Sequence, residues 1–389
     1  RSLVFSVLWG IPLIVILVLP WAWWVNQETA GKFLEEFVIK HNVQRGLGGD
    51  EQLDGHLHPW WYYLLRIWLD TAPWGLLLPV CVTALIQRKL TSRWTITGLA
   101  WFLSILIFLN ILFGPLVRAT NSGLACPDWP LCYGKVIPPA EFRIWMEVGH
   151  RIYSAILSIL FVYMLVMIFR SELLRKSYAF LGISAAAVLI FQIALGALTV
   201  TKLLDPGTVN SHLLNAVLFL LLNVTVFLKS RVQIGSPHFA GIGFAEIFSK
   251  ENIMLKIGFV LIYVQLFMGG RVSSNYAGMA CIDWPMCNGK WFPEMKGLIR
   301  YQMEHRYLAY IIMAFLIILF IQAFHKKHNT LYKRLCTLML YIGGVQIAAG
   351  VFNVLWSLPI LLTAFHTGNG VMLLTVMYVT YYVKESRLG

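Results

Sequence analysis

Apolar and polar positions alternate coarsely along this chain, with several apolar runs reaching the roughly 20 residues that cross a bilayer and shorter polar stretches between them. Ten runs predict ten spanning helices, at about 3 to 25, 72 to 87, 95 to 117, 148 to 169, 178 to 200, 211 to 228, 255 to 272, 304 to 324, 335 to 353 and 363 to 383. The polar stretches carry a second regularity. After the third run stands Arg118-Ala-Thr-Asn-Ser-Gly-Leu-Ala-Cys126-Pro-Asp128-Trp129-Pro130-Leu-Cys132-Tyr-Gly134, then Glu147-Val-Gly-His150-Arg151 at the mouth of the fourth. After the seventh stands Cys281-Ile-Asp283-Trp284-Pro285-Met-Cys287-Asn-Gly289, then Glu304-His305-Arg306. Cys126, Cys132, Gly134 and His150 thus recur 155 positions later. Gln192 and Gly196 match Gln346 and Gly350, and His212 matches His366, at an offset of 154.

One four-helix unit is therefore present twice, at 92–235 and 255–389, with a cytoplasmic linker at 236–254 and two extra helices in an N-terminal extension, 1–91. Four spans per unit keep both copies in the same orientation, so a pseudo-twofold along the membrane normal is expected rather than an inverted repeat. The fold class is an all-α polytopic membrane protein of two tandem four-helix transmembrane bundles. Composition agrees: 58% hydrophobic and 13% charged residues, with a mean hydropathy of +0.70, exclude an ordinary soluble domain.

A net charge of +13 could suggest nucleic acid, but its distribution says otherwise. Seventeen of the basic residues and only four acids fall on one side of the expected topology, while the other side holds fourteen of each. The excess marks the cytoplasm, so both termini are expected there and no nucleic-acid partner is. The cysteine loops then lie outside, toward an oxidising compartment. Five intervening residues with a proline among them suit small rings, so disulfides Cys126–Cys132 and Cys281–Cys287 are expected. A metal site would need further ligands that neither loop supplies. Cys81 and Cys336 fall inside apolar runs and read as buried apolar residues.

His150, His212, His305 and His366 sit near the external ends of the second and fourth span of each unit. A lone membrane histidine often only bonds a neighbouring helix. Two pairs in register at one depth, on helices a bundle brings face to face, instead suit the binding of a haem between two imidazoles. Arg151 and Arg306 read as partners of haem propionates, as anchors of the helix ends, or as both at once. The copies differ in one acid. Glu147 precedes His150 by three and shares its face, whereas Gln302 stands in its place in the second unit and Glu304 points about 100° away from His305. Glu147 reads either as a proton carrier or cation stabiliser at a reaction centre, or as a structural acid bonded to the loop. The asymmetry makes the first unit the candidate reaction site and the second a redox relay.

The Cys-Pro-Asp-Trp-Pro-Leu-Cys loop, the Glu-x-x-His-Arg opening of a span, the later single histidines and the eight-span tandem plan resemble the haem A synthase family over 92–389. The resemblance implies His150 and His212 around the substrate haem o, His305 and His366 around a resident haem b, Glu147 as the acid, and Cys126 with Cys132 as the loop disulfide. It implies oxidation of a porphyrin methyl group to a formyl group by successive hydroxylation, in a bacterial cell membrane. Haem o synthase, a quinol or another electron carrier, membrane lipid and a second copy of the chain are the partners compatible with that reading. A di-haem electron-transfer protein linked to quinol, and a haem carrier or assembly factor, remain alternatives; neither a flavin nor a nicotinamide fingerprint is present. In the extension, Gly55-His56-Leu-His58-Pro59-Trp60-Trp61 and Asp70-Thr-Ala-Pro73-Trp74 resemble the late membrane part of protein-mannosyltransferase-type, lipid-linked glycosyltransferases. The segment reads as the remnant or truncated tail of a fused domain, with no glycosyl transfer.

Overall fold

The computed structural model describes residues 92–135, 138–235, 253–325 and 330–383, together with Gln27 and His328. The spans expected at 3 to 25 and 72 to 87, Cys81 and nearly all of the linker lie outside the described residues. The eight remaining spans are helices: α1 Ser92–Ala119, α2 Phe142–Arg170, α3 Glu172–Thr201, α4 Pro206–Gln233, α5 Ile253–Ser274, α6 Gly297–His325, α7 Thr330–Leu355 and α8 Ile360–Tyr381. All eight are long and apolar enough to cross a membrane. Seven run past both ends of their apolar runs, α2 by six residues and α6 by seven at the start. The helical hydrogen-bond ladder continues into the interface, where polar side chains are tolerated and hydropathy stops reporting.

Local chemistry sets several ends. Only Ser171 separates α2 from α3; its extended backbone breaks the helix and its hydroxyl accepts the Leu174 N–H. Asp205 caps α4 by accepting the Thr208 N–H at 2.9 Å, with Pro206 in the first turn where no N–H is needed.

Helices α1, α2, α3 and α4 pack in a closed ring, each against the next and α4 back on α1. Helices α5 to α8 repeat the ring. The rings join where α4 packs on α5 and α8 packs on α1, with α4 touching α8 between them. Exchanging the two halves leaves this set of contacts unchanged, as a twofold relation requires. Glycine allows both junctions: a Cβ on Gly270 of α5 would overlap the Asn210 side chain of α4, and one on Gly368 of α8 would overlap Leu112 of α1. Thr225 and Tyr378 hydroxyls bond across the α4–α8 contact at 2.6 Å. One continuous apolar core runs through both rings, including Leu103, Phe161, Leu220, Ile262, Leu316 and Leu374. Outward positions are apolar too, as Phe180 at 82% and Ile190 at 69% exposure show, which fits a lipid-facing surface rather than water.

Candidate functional site

The two cysteine loops are built alike. Cys126 and Cys132 are bonded, as are Cys281 and Cys287, each with Cα atoms 4.9 Å apart. The Asp128 carboxylate accepts the N–H groups of Tyr133 (2.6 Å) and Gly134 (2.8 Å); Asp283 accepts those of Asn288 and Gly289, both at 2.8 Å. Those turn residues all have positive φ, which Gly and Asn adopt readily. The N–H of Gly134 above all, with that of Tyr133, holds Asp128 below the ordinary carboxylate range, and Gly289 with Asn288 does the same for Asp283.

The arginines beside the histidines enter these loops. Arg151 donates to the carbonyls of Asp128 (3.0 Å), Pro130 (3.3 Å) and Leu131 (2.7 Å). Arg306, only 6% exposed, donates to Asp283 and Met286 (both 2.8 Å) and Cys281 (2.9 Å). Each guanidinium thus joins a disulfide loop to the helix that bears the histidine. Glu147 belongs to the same clasp. It is 5% exposed; its Oε2 accepts the Cys126 N–H at 2.9 Å and its Oε1 pairs with Arg151. Its counterpart Gln302 donates to the Gly278 carbonyl at 3.3 Å instead.

The four histidines lie deeper than the helix mouths. His150 and His305 follow the starts of α2 and α6 by eight residues, and His212 and His366 follow those of α4 and α8 by six, about 12 and 9 Å along the axis. All four rings are half-buried. In the second unit the rings of His305 and His366 stand 6.3 Å apart between centroids, at 74°. A metal bonded to one nitrogen of each at about 2 Å separates ring centres by about 6 Å, so this pair fits a six-coordinate iron. Ring nitrogens are available: Nδ1 of His150, His212 and His366 is buried without a hydrogen-bond partner. Among the described residues no three His, Cys, Asp or Glu side chains converge. Two imidazoles per unit therefore suit a metal whose remaining bonds come from a macrocycle.

Several neighbours were given no role at the histidines from the sequence. Gln192, Gln265 and Gln346 reach the rings of His212, His305 and His366. Asn215 and Asn369 hold Gln192 and Gln346 at 2.9 and 2.8 Å. Glu304 pairs with Arg271 (3.0 Å) and Arg300 (2.6 Å), and Arg271 lies 4.5 Å above the Tyr301 ring. The available signal was a polar amide inside an apolar run, which is costly unless it has a partner.

The eight described apolar helices, in two fused four-helix rings that each carry two histidines near one end, define an integral membrane protein of duplicated design. Residues 97–144 and 139–378 match the family model described as cytochrome oxidase assembly protein, and the chain belongs to that family. It is similar to the Heme A synthase of Shewanella oneidensis, 28% identical over 330 residues, covering 73% of this chain and 96% of that protein. The Heme A synthase of Shouchella clausii is 31% identical over 272 residues, covering 67% and 87%. That of Rickettsia africae is 21% identical over 357 residues, covering 77% and 100%.

Proposed function

We propose that this chain is a haem A synthase, a membrane oxidoreductase that converts a methyl group of haem o to a formyl group. Two in-register histidine pairs, one at a ring separation suited to a six-coordinate iron, carry this reading, and the names of the relatives above agree with it. His150 and His212 are the ligands of the substrate, haem o; His305 and His366 are those of a resident haem b. When bound, haem b supplies a one-electron relay for the electrons that leave the methyl carbon. Two successive two-electron oxidations, each adding a hydroxyl, give a geminal diol that loses water to leave the aldehyde.

The chain's own groups divide the rest. Gln265 and Gln346 donate to the backbone carbonyls of His305 (3.0 Å) and His366 (2.9 Å) and so hold the turns that bear them. Glu147, one turn before His150, accepts the Cys126 N–H and pairs with Arg151, and its role in the reaction is to stabilise positive charge developing beside it. The disulfide loops pack on the first turns of α2 and α6, on the helices that bear His150 and His305. The excess of Lys and Arg on one side of the expected topology supports a cytoplasmic face there, with a bacterial cell membrane as the setting. Haem o synthase and an oxidised membrane electron carrier are the partners this chemistry calls for, the first to deliver substrate and the second to accept the four electrons released as two waters supply the hydroxyl groups.

Extraction of haems from purified protein, with identification by mass, tests the reading. Haem b together with haem o, a hydroxylated intermediate or haem a is expected. Haem b alone, from a host that makes haem o, would move the assignment to di-haem electron transfer.

A further inference from the structure

Arg118, in the last turn of α1, touches its own counterpart in the other ring. The offset of 155 that relates the two cysteine loops pairs it with Ser273, in the last turn of α5. The register holds beyond them: Asn121 and Tyr276, the next matching pair to leave the helices, share left-handed backbone at φ 53° and 55°. The Arg118 guanidinium donates to the Ser273 carbonyl and lies 4.4 Å above the Tyr276 ring. Two equivalent residues in contact must straddle the axis that relates them. Arg118 therefore stands at the pseudo-twofold axis between the rings, at the end of the helices that carries the four histidines.

Other arginines of this end have their partners. Arg151 bonds loop carbonyls and Glu147, Arg306 bonds three loop carbonyls, and Arg271 and Arg300 share Glu304. Arg118 is half-buried, and among the described residues no carboxylate pairs with it. A guanidinium carries five N–H donors, so one carbonyl and one aromatic face leave most of them open. A cation at a helix end inside a membrane bundle is costly without an anion. Serine at position 273 keeps the axis to a single charge, since a second arginine there would set two cations in contact.

We infer that Arg118 is an anion site shared by the two rings, pairing with one propionate carboxylate from the haem of each. The inference rests on the proposed function, since it takes one haem to lie in each ring. A haem between these histidines turns its propionates toward the polar end of the bundle. The opposite direction leads into hydrocarbon, where an ionised carboxylate is costly. A group on the axis is about equally far from both histidine pairs, and the planar guanidinium fork can take carboxylates on different edges. Its positive charge favours the reduced state of both irons to a similar extent. The contact itself is ionic: no covalent bond forms or breaks and no electron is transferred in making it.

The test uses the full chain purified from a host that supplies haem o. Haem per chain is measured by extraction, and the two midpoint potentials by spectroelectrochemical titration. Arg118→Gln removes the charge and should make each haem about tenfold harder to reduce, a fall of about 59 mV in each one-electron midpoint. Arg118→Lys keeps the charge without the fork and should lower both midpoints by a smaller, similar step; it serves as the independent variant should Arg118→Gln fail to fold. A mere tie between α1 and α5 would change thermal stability and leave both potentials where they were. One haem per chain in the parent protein would sink the proposed function and this inference together. Two haems with one midpoint moved and the other fixed, or with both fixed in either variant, would overturn the inference alone.

Discussion

Four glycines, one per histidine, offer a graded steric perturbation: alanine at Gly269, Gly350, Gly196 and Gly114. The added methyl would approach the Cε1 atoms of His305, His366 and His212 to 3.0, 3.1 and 3.2 Å, while at Gly114 it would meet nothing within 4 Å. Carbon pairs are most comfortable at about 3.5–4.0 Å, so the first three rings must shift by several tenths of an ångström. Overpacking of this kind costs about 1–3 kcal/mol. Alanine recovers about 1 kcal/mol over glycine within a helix. The net loss of folding stability is about 0–2 kcal/mol, ordered Gly269, then Gly350, then Gly196, and the displaced rings should lose haem in the same order. Gly114→Ala keeps only the helical gain and leaves haem content and thermal stability equal to or above the parent. The assay is haem retained per chain through size exclusion in detergent, together with the reduced-state spectrum. A Gly114→Ala protein that loses as much haem as Gly269→Ala would refute the claim that His150 lacks the glycine contact its counterparts have.

Other outcomes follow from the loops and the junctions. Glu147→Gln should retain both haems and their reduction while formyl production stops; normal haem a yield in that variant would remove the case for a charge at the reaction centre. Arg306→Gln leaves three loop carbonyls without their buried donor, a loss of about 3 kcal/mol, and should speed reduction of the Cys281–Cys287 bond, read by thiol labelling. Asp128 and Asp283 are held below their ordinary value, so their contribution to loop stability is full above the unfolded carboxyl pKa of about 3.9 and is lost as pH falls through the lower folded value. Trp129 emission, isolated by difference from Trp129→Phe, should therefore hold steady from neutrality to about pH 4 and change only below it; a midpoint near pH 5 would contradict this. Gly368→Ala should push α8 off Leu112 and lower the melting temperature more than Gly344→Ala, whose added carbon meets nothing within 4 Å.

Hydropathy made the eight described helices legible because a span must hide every backbone polar group inside itself. It missed their ends for the same reason: past the hydrocarbon, Phe142 to Glu147 and Gly297 to Glu304 continue the helices with side chains that membrane scales penalise. The duplicated histidines and disulfide loops could be read from register alone, since a repeat offset of 154 to 155 residues pairs them. What each neighbour bonds could not. Arg151 and Arg306 are next to ligand candidates in sequence, but their length lets them turn to loop carbonyls some 20 residues away. Glu147 shares a face with His150, yet its carboxylate reaches back to the Cys126 N–H. The amides of Gln265 and Asn110 differ by one methylene, and only the fold reveals that one touches a ring and the other a serine.

The junction between the rings has a consequence for how the two halves can diverge. If α1–α4 and α5–α8 were separate identical chains meeting through the same α4–α5 and α8–α1 contacts, they would form an isologous dimer. Every substitution would then appear in both sites at once, and assembly would weaken on dilution. A covalent tether holds the halves at a fixed local concentration whatever the abundance of the protein. It also releases them from copying each other. Asn110 can stand opposite Gln265, Ser154 opposite Ala309, and Glu147 opposite Gln302. An asymmetric pair of pockets is thereby written into a symmetric scaffold, with three polar substitutions and no change of fold.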